Sequence, residues 1–132
     1  VFLFFCAFCQ AAYAAEPFAN RDAMVAFIGE HMTTRDFAPL IQRLDAKEEY
    51  SDREVDQVSE QFRDIYPEDF TDSAQIRERL MEPGFREEVV AFWRGGGKYL
   101  FLYVFSHETD EGVYVLTFGL NSRAENVLGL FQ

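Results

Sequence analysis

Three consecutive glycines followed by a lysine, Gly95-Gly96-Gly97-Lys98, form a pattern that could bind phosphate. Glycine amides can surround an anion, and the lysine can neutralise its charge. The phosphate-binding loop has the spacing GxxxxGK[ST] and leads into a helix, whereas here Tyr99 and an apolar strand pattern follow the lysine. We therefore predict a hairpin turn, in which glycine adopts positive φ at little cost.

The segment from His107 to Gly112 brings one imidazole and three carboxylates together within a few residues. These groups could attract a divalent cation, but their spacing matches neither the calcium-loop pattern nor a zinc site. We predict a polar hairpin tip with Gly112 in the left-handed region, and neither a metal nor a cofactor.

A buried phenol or carboxylate could also act as a general acid or base. The sequence contains no HExxH motif, no nucleophile elbow and only two histidines, so it singles out no catalytic residue. The available groups are Tyr50, Tyr66, Tyr99, Tyr103, Tyr114, Asp36 and Asp45.

Residues 1–14 are apolar and uncharged and end in Ala12-Tyr13-Ala14, the small-x-small pattern that precedes signal-peptidase cleavage. We predict an N-terminally incomplete signal peptide, a single mature domain at residues 15–132, and export to the periplasm or the extracellular space. A membrane span needs about 20 apolar residues, so no stable membrane anchor is expected. The alternative interpretation of residues 1–14 is a helix buried in the core. Cys6 and Cys9 lie in this segment, so their CxxC spacing is expected to be removed with it.

The net charge of −11 is concentrated in the first part of the chain. Residues 16–84 contain 17 acidic and 8 basic side chains, and residues 85–132 contain 6 and 4. A polyanion is repelled by nucleic acid and by anionic membranes, so neither is an expected partner.

Helical periodicity predicts three helices in the first half. Asn20 caps the first, which runs from residue 21 to about 32, and Asp36 begins the second. Ser51 and Glu54 form a capping box at the start of the third, which Pro67 ends. A fourth short helix is predicted from Asp72 or Ser73 through residue 81.

From Phe85 the apolar period changes to two, which predicts strands at residues 86–94, 98–106, 113–121 and 126–131. Short connections favour an antiparallel meander. The predicted fold class is α+β, with the N-terminal helices packed on one face of a four-stranded antiparallel meander sheet.

The strands are apolar on both faces, so the sheet needs cover on both sides. The helices supply one cover, and we expect a ligand, a protein partner or a second copy to supply the other. The predicted ligand or dimer face consists of Trp93, Tyr99, Phe101, Tyr103, Phe105, Tyr114, Leu116 and Phe118.

The order of helices followed by a meander, over residues 20–131, resembles the cone-shaped nuclear-transport-factor-like fold shared with ketosteroid isomerase. That family has a strand or hairpin between its early and late helices, which only the stretch around Phe70 could supply here. The cystatin-like arrangement describes the same element order. The resemblance implies an isomerase, a dehydratase or an inert binding module, and fold alone does not choose among them.

We therefore expect a non-enzymatic exported module that uses its apolar sheet face to form a homodimer or to bind an apolar ligand or a protein partner. One alternative is a small-molecule isomerase or lyase with a Tyr or Asp acid–base group in a cone-shaped pocket. Another is a purely structural envelope protein.

Overall fold

Helices precede the sheet in the computed structural model, which describes residues 16–45 and 48–130. The strands form one antiparallel meander in the order β1-β2-β3-β4. The predicted α+β class, with the N-terminal helices against a four-stranded sheet, is confirmed. The elements are α1 (Arg21–Thr33), α2 (Phe37–Leu44), α3 (Asp52–Ile65), β1 (Asp72–Met81), β2 (Phe85–Arg94), β3 (Lys98–Thr109), β4 (Gly112–Asn121) and α4 (Ala124–Leu128).

Local sequence signals define the helix starts. The Asn20 side chain accepts a hydrogen bond from the Ala23 amide (2.8 Å) and begins α1. At α3 the Glu54 amide donates to the Ser51 hydroxyl (3.1 Å), and the Ser51 amide donates to the Glu54 carboxylate (2.8 Å). The predicted capping box is therefore present. Asp36 precedes α2 as predicted, but its side chain makes no capping hydrogen bond.

The main core lies between the helices and one face of the sheet, which we call the helix-facing side. Helices α1, α2 and α3 contribute their buried apolar residues, and β3 contributes alternate ones, as expected for a strand whose side chains point to opposite faces. The most completely buried large side chains of this core are Met24, Met32, Phe37, Leu40, Leu44, Leu100, Leu102 and Val104.

The predicted helix at residues 72–81 is wrong, because this segment is strand β1. It pairs with β2 from Asp72 opposite Trp93 to Met81 opposite Phe85. β1 is an edge strand and is largely solvent-exposed, so its sequence needs no apolar alternation. It is also rich in residues that favour helices, and for this reason its pattern predicted a helix. Pairing with β2 overrides that local preference.

The predicted strand at residues 126–131 is also wrong within the described part of the chain, where residues 124–128 form α4. Val127 of α4 is buried against Val89 and Tyr103, on the sheet face opposite to the helix-facing side. The chain itself therefore supplies part of the second cover that we expected a ligand or a partner to provide.

A bulge in β4 changes which of its residues face the helices. Phe105 lies opposite Thr117 and Ser106 lies opposite Val115, so Leu116 has no partner in the ladder. Beyond the bulge the side-chain alternation is shifted by one residue. Phe118 therefore packs against the main core rather than on the opposite face.

Gly112 allows the segment before α1 to join the sheet. The Phe18 and Val113 backbones exchange two hydrogen bonds of 2.9 Å. Gly112 has φ +132°, and a Cβ there would overlap the Phe18 carbonyl oxygen. A residue without a side chain is therefore required for this close approach.

We expect Gly112→Ala to lower the free energy of unfolding by about 2–4 kcal/mol, because backbone strain and a steric overlap act together. Gly96→Ala is the matched control, since Gly96 also has positive φ (+103°) but open space around its Cβ position; it should cost about 1 kcal/mol. Urea unfolding followed by circular dichroism measures both. Equal costs would show that the Phe18 contact is unimportant.

Candidate functional site

The glycine loop is a hairpin turn between β2 and β3, as predicted. Gly96 and Gly97 have positive φ, and all three glycines are exposed. The Lys98 ammonium donates to the carbonyl of Ile65 in α3 (3.1 Å), away from any phosphate-binding arrangement. The turn therefore joins the sheet to the helix layer.

The histidine segment does not form a metal centre. His107 belongs to β3, where its ring stacks on Phe85 with centroids 3.8 Å apart, and its Nε2 lies 2.9 Å from the carbonyl oxygen of Pro83. In residues 16–45 and 48–130 no cluster of three or more His, Cys, Asp or Glu residues is placed to hold a metal ion. Cys6 and Cys9 lie outside these ranges.

The possible acid–base residues do not converge on one site. Asp45 accepts hydrogen bonds from the amides of Glu49 and Tyr50 (both 3.0 Å), which fixes the loop before α3. Tyr114 donates to Glu111 at the β3–β4 turn (2.7 Å). Tyr103 is the member of this set that is buried beside a carboxylate, that of Glu87.

The face opposite to the helix-facing side, which we call the aromatic face, carries two groups of rings. Trp93, Tyr99 and Phe101 form one row, with centroids 5.9 and 6.2 Å apart. Phe85 stacks against Phe105 (5.8 Å) near the other end of the strands. Between these groups α4 covers the centre of the sheet. Tyr99 remains 45% exposed, and the other four rings are partly exposed.

The structure thus brings together most of the predicted face. Tyr103 lies in its centre beneath α4, and Tyr114 lies opposite His107 in the ladder. Two predicted members do not join it as expected, because Leu116 occupies the bulge and Phe118 packs on the helix-facing side.

A buried polar group lies within the aromatic face. The Tyr103 hydroxyl donates to the Glu87 carboxylate (2.7 Å), and Arg79 Nε of β1 donates to the same carboxylate (2.9 Å). Burial, followed by the hydrogen bond to Glu87, raises the pKa of the Tyr103 phenol. The phenol therefore stays protonated near neutral pH and acts as a fixed hydrogen-bond donor.

On the helix-facing side an open cavity of about 270 Å³ lies between α1 and strands β1 and β2. We call it the α1 cleft. Its polar end is formed by Glu88, which accepts from Nη1 and Nη2 of Arg21 (both 2.8 Å) and from Nε2 of Gln75 (2.8 Å). Its walls are mostly apolar and include Met24, Ile28, Val90, Phe92, Leu102 and Val104.

Electrostatics keep the polar end of the α1 cleft ionised. Burial would raise the pKa of the Glu88 carboxyl, but the hydrogen bonds and charge of Arg21, with the hydrogen bond from Gln75, outweigh burial and lower it. The hydrogen bond to Glu88 likewise raises the pKa of the Arg21 guanidinium. A general base acting near neutral pH needs a raised carboxyl pKa, and the pKa of Glu88 is shifted in the opposite direction.

Sequence reasoning missed this cleft. Arg21 and Glu88 are 67 positions apart in the chain, so no spacing rule connects them. The sequence did contain one indication of a buried carboxylate on the helix-facing side. Glu87 and Glu88 are consecutive residues of a predicted strand, and consecutive strand residues point to opposite faces. At least one of the two therefore had to lie under the helices.

No protein-family model, curated protein or solved structure matches the chain. The resemblance to the nuclear-transport-factor-like and cystatin-like folds therefore stays a prediction from element order. Among the described residues, no helix has the length and apolar character needed to cross a membrane.

We expect Arg21→Met to lower the free energy of unfolding by about 2–4 kcal/mol at pH 7, because it leaves the buried Glu88 carboxylate without its guanidinium. The double variant Arg21→Met/Glu88→Leu removes both charges and should recover most of that loss. Urea unfolding of the two variants measures this. A double variant no more stable than the single one would contradict a buried ion pair.

The lowered pKa of Glu88 also predicts a pH dependence. The ionised carboxylate stabilises the fold above its ordinary pKa of 4.5, and this stabilisation is lost as the pH falls through the lower folded-state value. The stability difference between the wild type and Glu88→Gln should therefore be largest at pH 6 and shrink toward pH 3. Urea unfolding at intermediate pH values measures it, and a constant difference would contradict the pKa shift.

Proposed function

We propose that this protein is a non-catalytic binding module that forms a homodimer through its aromatic face. The observation that carries the proposal is the pair of partly exposed ring groups on either side of α4. A five-residue helix covers only the centre of this face. Apolar surface of this kind is stabilised when a partner removes it from water.

The size of the aromatic face suits a dimer interface. Four strands about 4.8 Å apart and about ten residues long, at 3.3 Å per residue, present a face of about 600 Å². Side chains from α4 and from the turns add to this area. A standard interface buries about 800 Å² per partner, so the face is of the right scale for a second copy.

The distribution of charge also favours a second copy of this acidic chain. Asp72, Arg77, Arg79 and Glu87 lie on the aromatic face by their register, and their charges balance. The chain as a whole carries −11, mostly from residues 16–84. Association through the balanced face keeps the acidic helix layers of the two copies apart, where solvent and salt screen their repulsion.

We further propose that the module acts after export, in the periplasm or outside the cell. The support is the apolar, uncharged pattern of residues 1–14 with its Ala12-Tyr13-Ala14 end, which lies outside the described residues. Mass measurement of the protein recovered from an exporting host tests this, and the expected chain begins at Ala15.

Sedimentation equilibrium of the full chain tests the dimer. We expect twice the 15.3 kDa chain mass at high concentration. Tyr99→Lys should weaken association by about thirtyfold or more, because an interface aromatic contributes about 1 kcal/mol or more and a two-fold interface contains it twice, about 2 kcal/mol in total. Ile65→Lys is the matched control: Ile65 is also 45% exposed but lies on α3, and its substitution should leave the dissociation constant unchanged.

Two outcomes would overturn the dimer proposal. One is a monomer at every accessible concentration, with or without co-purified ligand in native mass spectrometry. The other is a dimer that Ile65→Lys disrupts and Tyr99→Lys does not, which would place the interface on the helix layer.

A further inference from the structure

We infer that the α1 cleft is a binding site for a small neutral amphiphile, a single-chain molecule with an apolar tail and an uncharged head that can both donate and accept hydrogen bonds. The cleft lies on the opposite side of the sheet from the aromatic face, so the site is independent of the proposed dimer.

The volume sets the size of the ligand. The cleft holds about 270 Å³. A protein cavity of about 150 Å³ accepts benzene, and pockets for larger ligands begin near 300 Å³. The apolar walls, formed by side chains such as Ile28 and Phe92, favour a tail of about eight carbon atoms over a polar molecule of the same size.

The Arg21–Glu88 pair sets the chemistry of the head. The pair is neutral overall, so a charged head would bring an unpaired charge to a partly buried site. Arg21 gives two N–H groups to Glu88, and a guanidinium has five. A carboxylate offers about four acceptor positions, and Glu88 uses three in its bonds with Arg21 and Gln75. A primary amide or a hydroxyl can therefore accept from Arg21 and donate to Glu88 together.

Gly29 of α1 borders open space in the cleft. It lies in the cleft wall, and a Cβ at this position would meet no atom within 4 Å. Glycine in a helix interior lowers helix stability relative to alanine, so the open space at Gly29 is accompanied by a loss of helix stability. The facing edge of β1 contributes Ser73, whose register opposite Phe92 directs its short side chain to the helix-facing side, and the adjacent Ala74 also lines the cleft.

Titration of the full chain with octanamide, octanoate and octylammonium tests the site by calorimetry and by amide NMR shifts. Octanamide should bind saturably, with its largest shifts at Gly29, Ala74 and Val90. Each charged probe should bind about tenfold more weakly or worse, because of the cost of an unpaired charge. Gly29→Phe should weaken octanamide binding by about tenfold or more by filling the cleft, whereas Gly29→Ala should change it by less than about twofold.

This assignment would be overturned by no saturable binding of octanamide, by equal binding of octanamide and octanoate, or by binding that persists in Gly29→Phe. Shifts centred on Trp93 and Tyr99 of the aromatic face would overturn it as well. The shift map of the wild-type protein decides the location even if Gly29→Phe fails to fold.

Discussion

Two successive buried glutamates on β2 constrain the rest of the structure. Glu87 and Glu88 point to opposite faces of the sheet, and each requires a cation because an unpaired buried carboxylate is costly. Arg79 of β1 pairs with Glu87, and Arg21 of α1 pairs with Glu88. A slip of β1 by one residue would move Arg79 to the wrong face, so the pairs fix strand register and helix position. Buried pairs add little net stability, so we assign them this positioning role, while apolar burial supplies the main driving force.

The two sheet faces are covered unequally, and the two proposed sites follow from this difference in cover. On the helix-facing side α1, α2 and α3 bury a continuous apolar core, and the α1 cleft remains beside β1. On the aromatic face α4 buries Val89 and Tyr103 and leaves the outer rings partly exposed. The first face therefore suits a small molecule, and the second suits a flat macromolecular surface.

The sequence was sufficient to predict elements with strong local signals. Caps and helical periodicity predicted the helices α1 and α3. Two-residue periodicity predicted strands β2 to β4, and positive-φ glycines predicted the turn between β2 and β3. β1 was missed because an exposed edge strand needs no apolar alternation. α4 was missed because its packing of Val127 and Leu128 on the sheet is set by tertiary contacts and not by the local pattern. The aromatic face was largely predictable from two-residue periodicity, except where a bulge moves Phe118. The α1 cleft could not be predicted from the sequence, because it depends on an ion pair between residues that are far apart in the chain.

Neither edge of the sheet is well suited to pairing with a strand of another molecule. β1 is an exposed edge, but it has a bulge between Gln75 and Arg77 and then alternates charges through Arg79. Both features oppose pairing with another strand. The outer edge of β4 is occupied at its start by the bridge between Phe18 and Val113. One edge is charged and bulged, the other is partly covered, and the helix-facing side is packed. The proposed dimer therefore uses the aromatic face, where the outer rings are partly exposed.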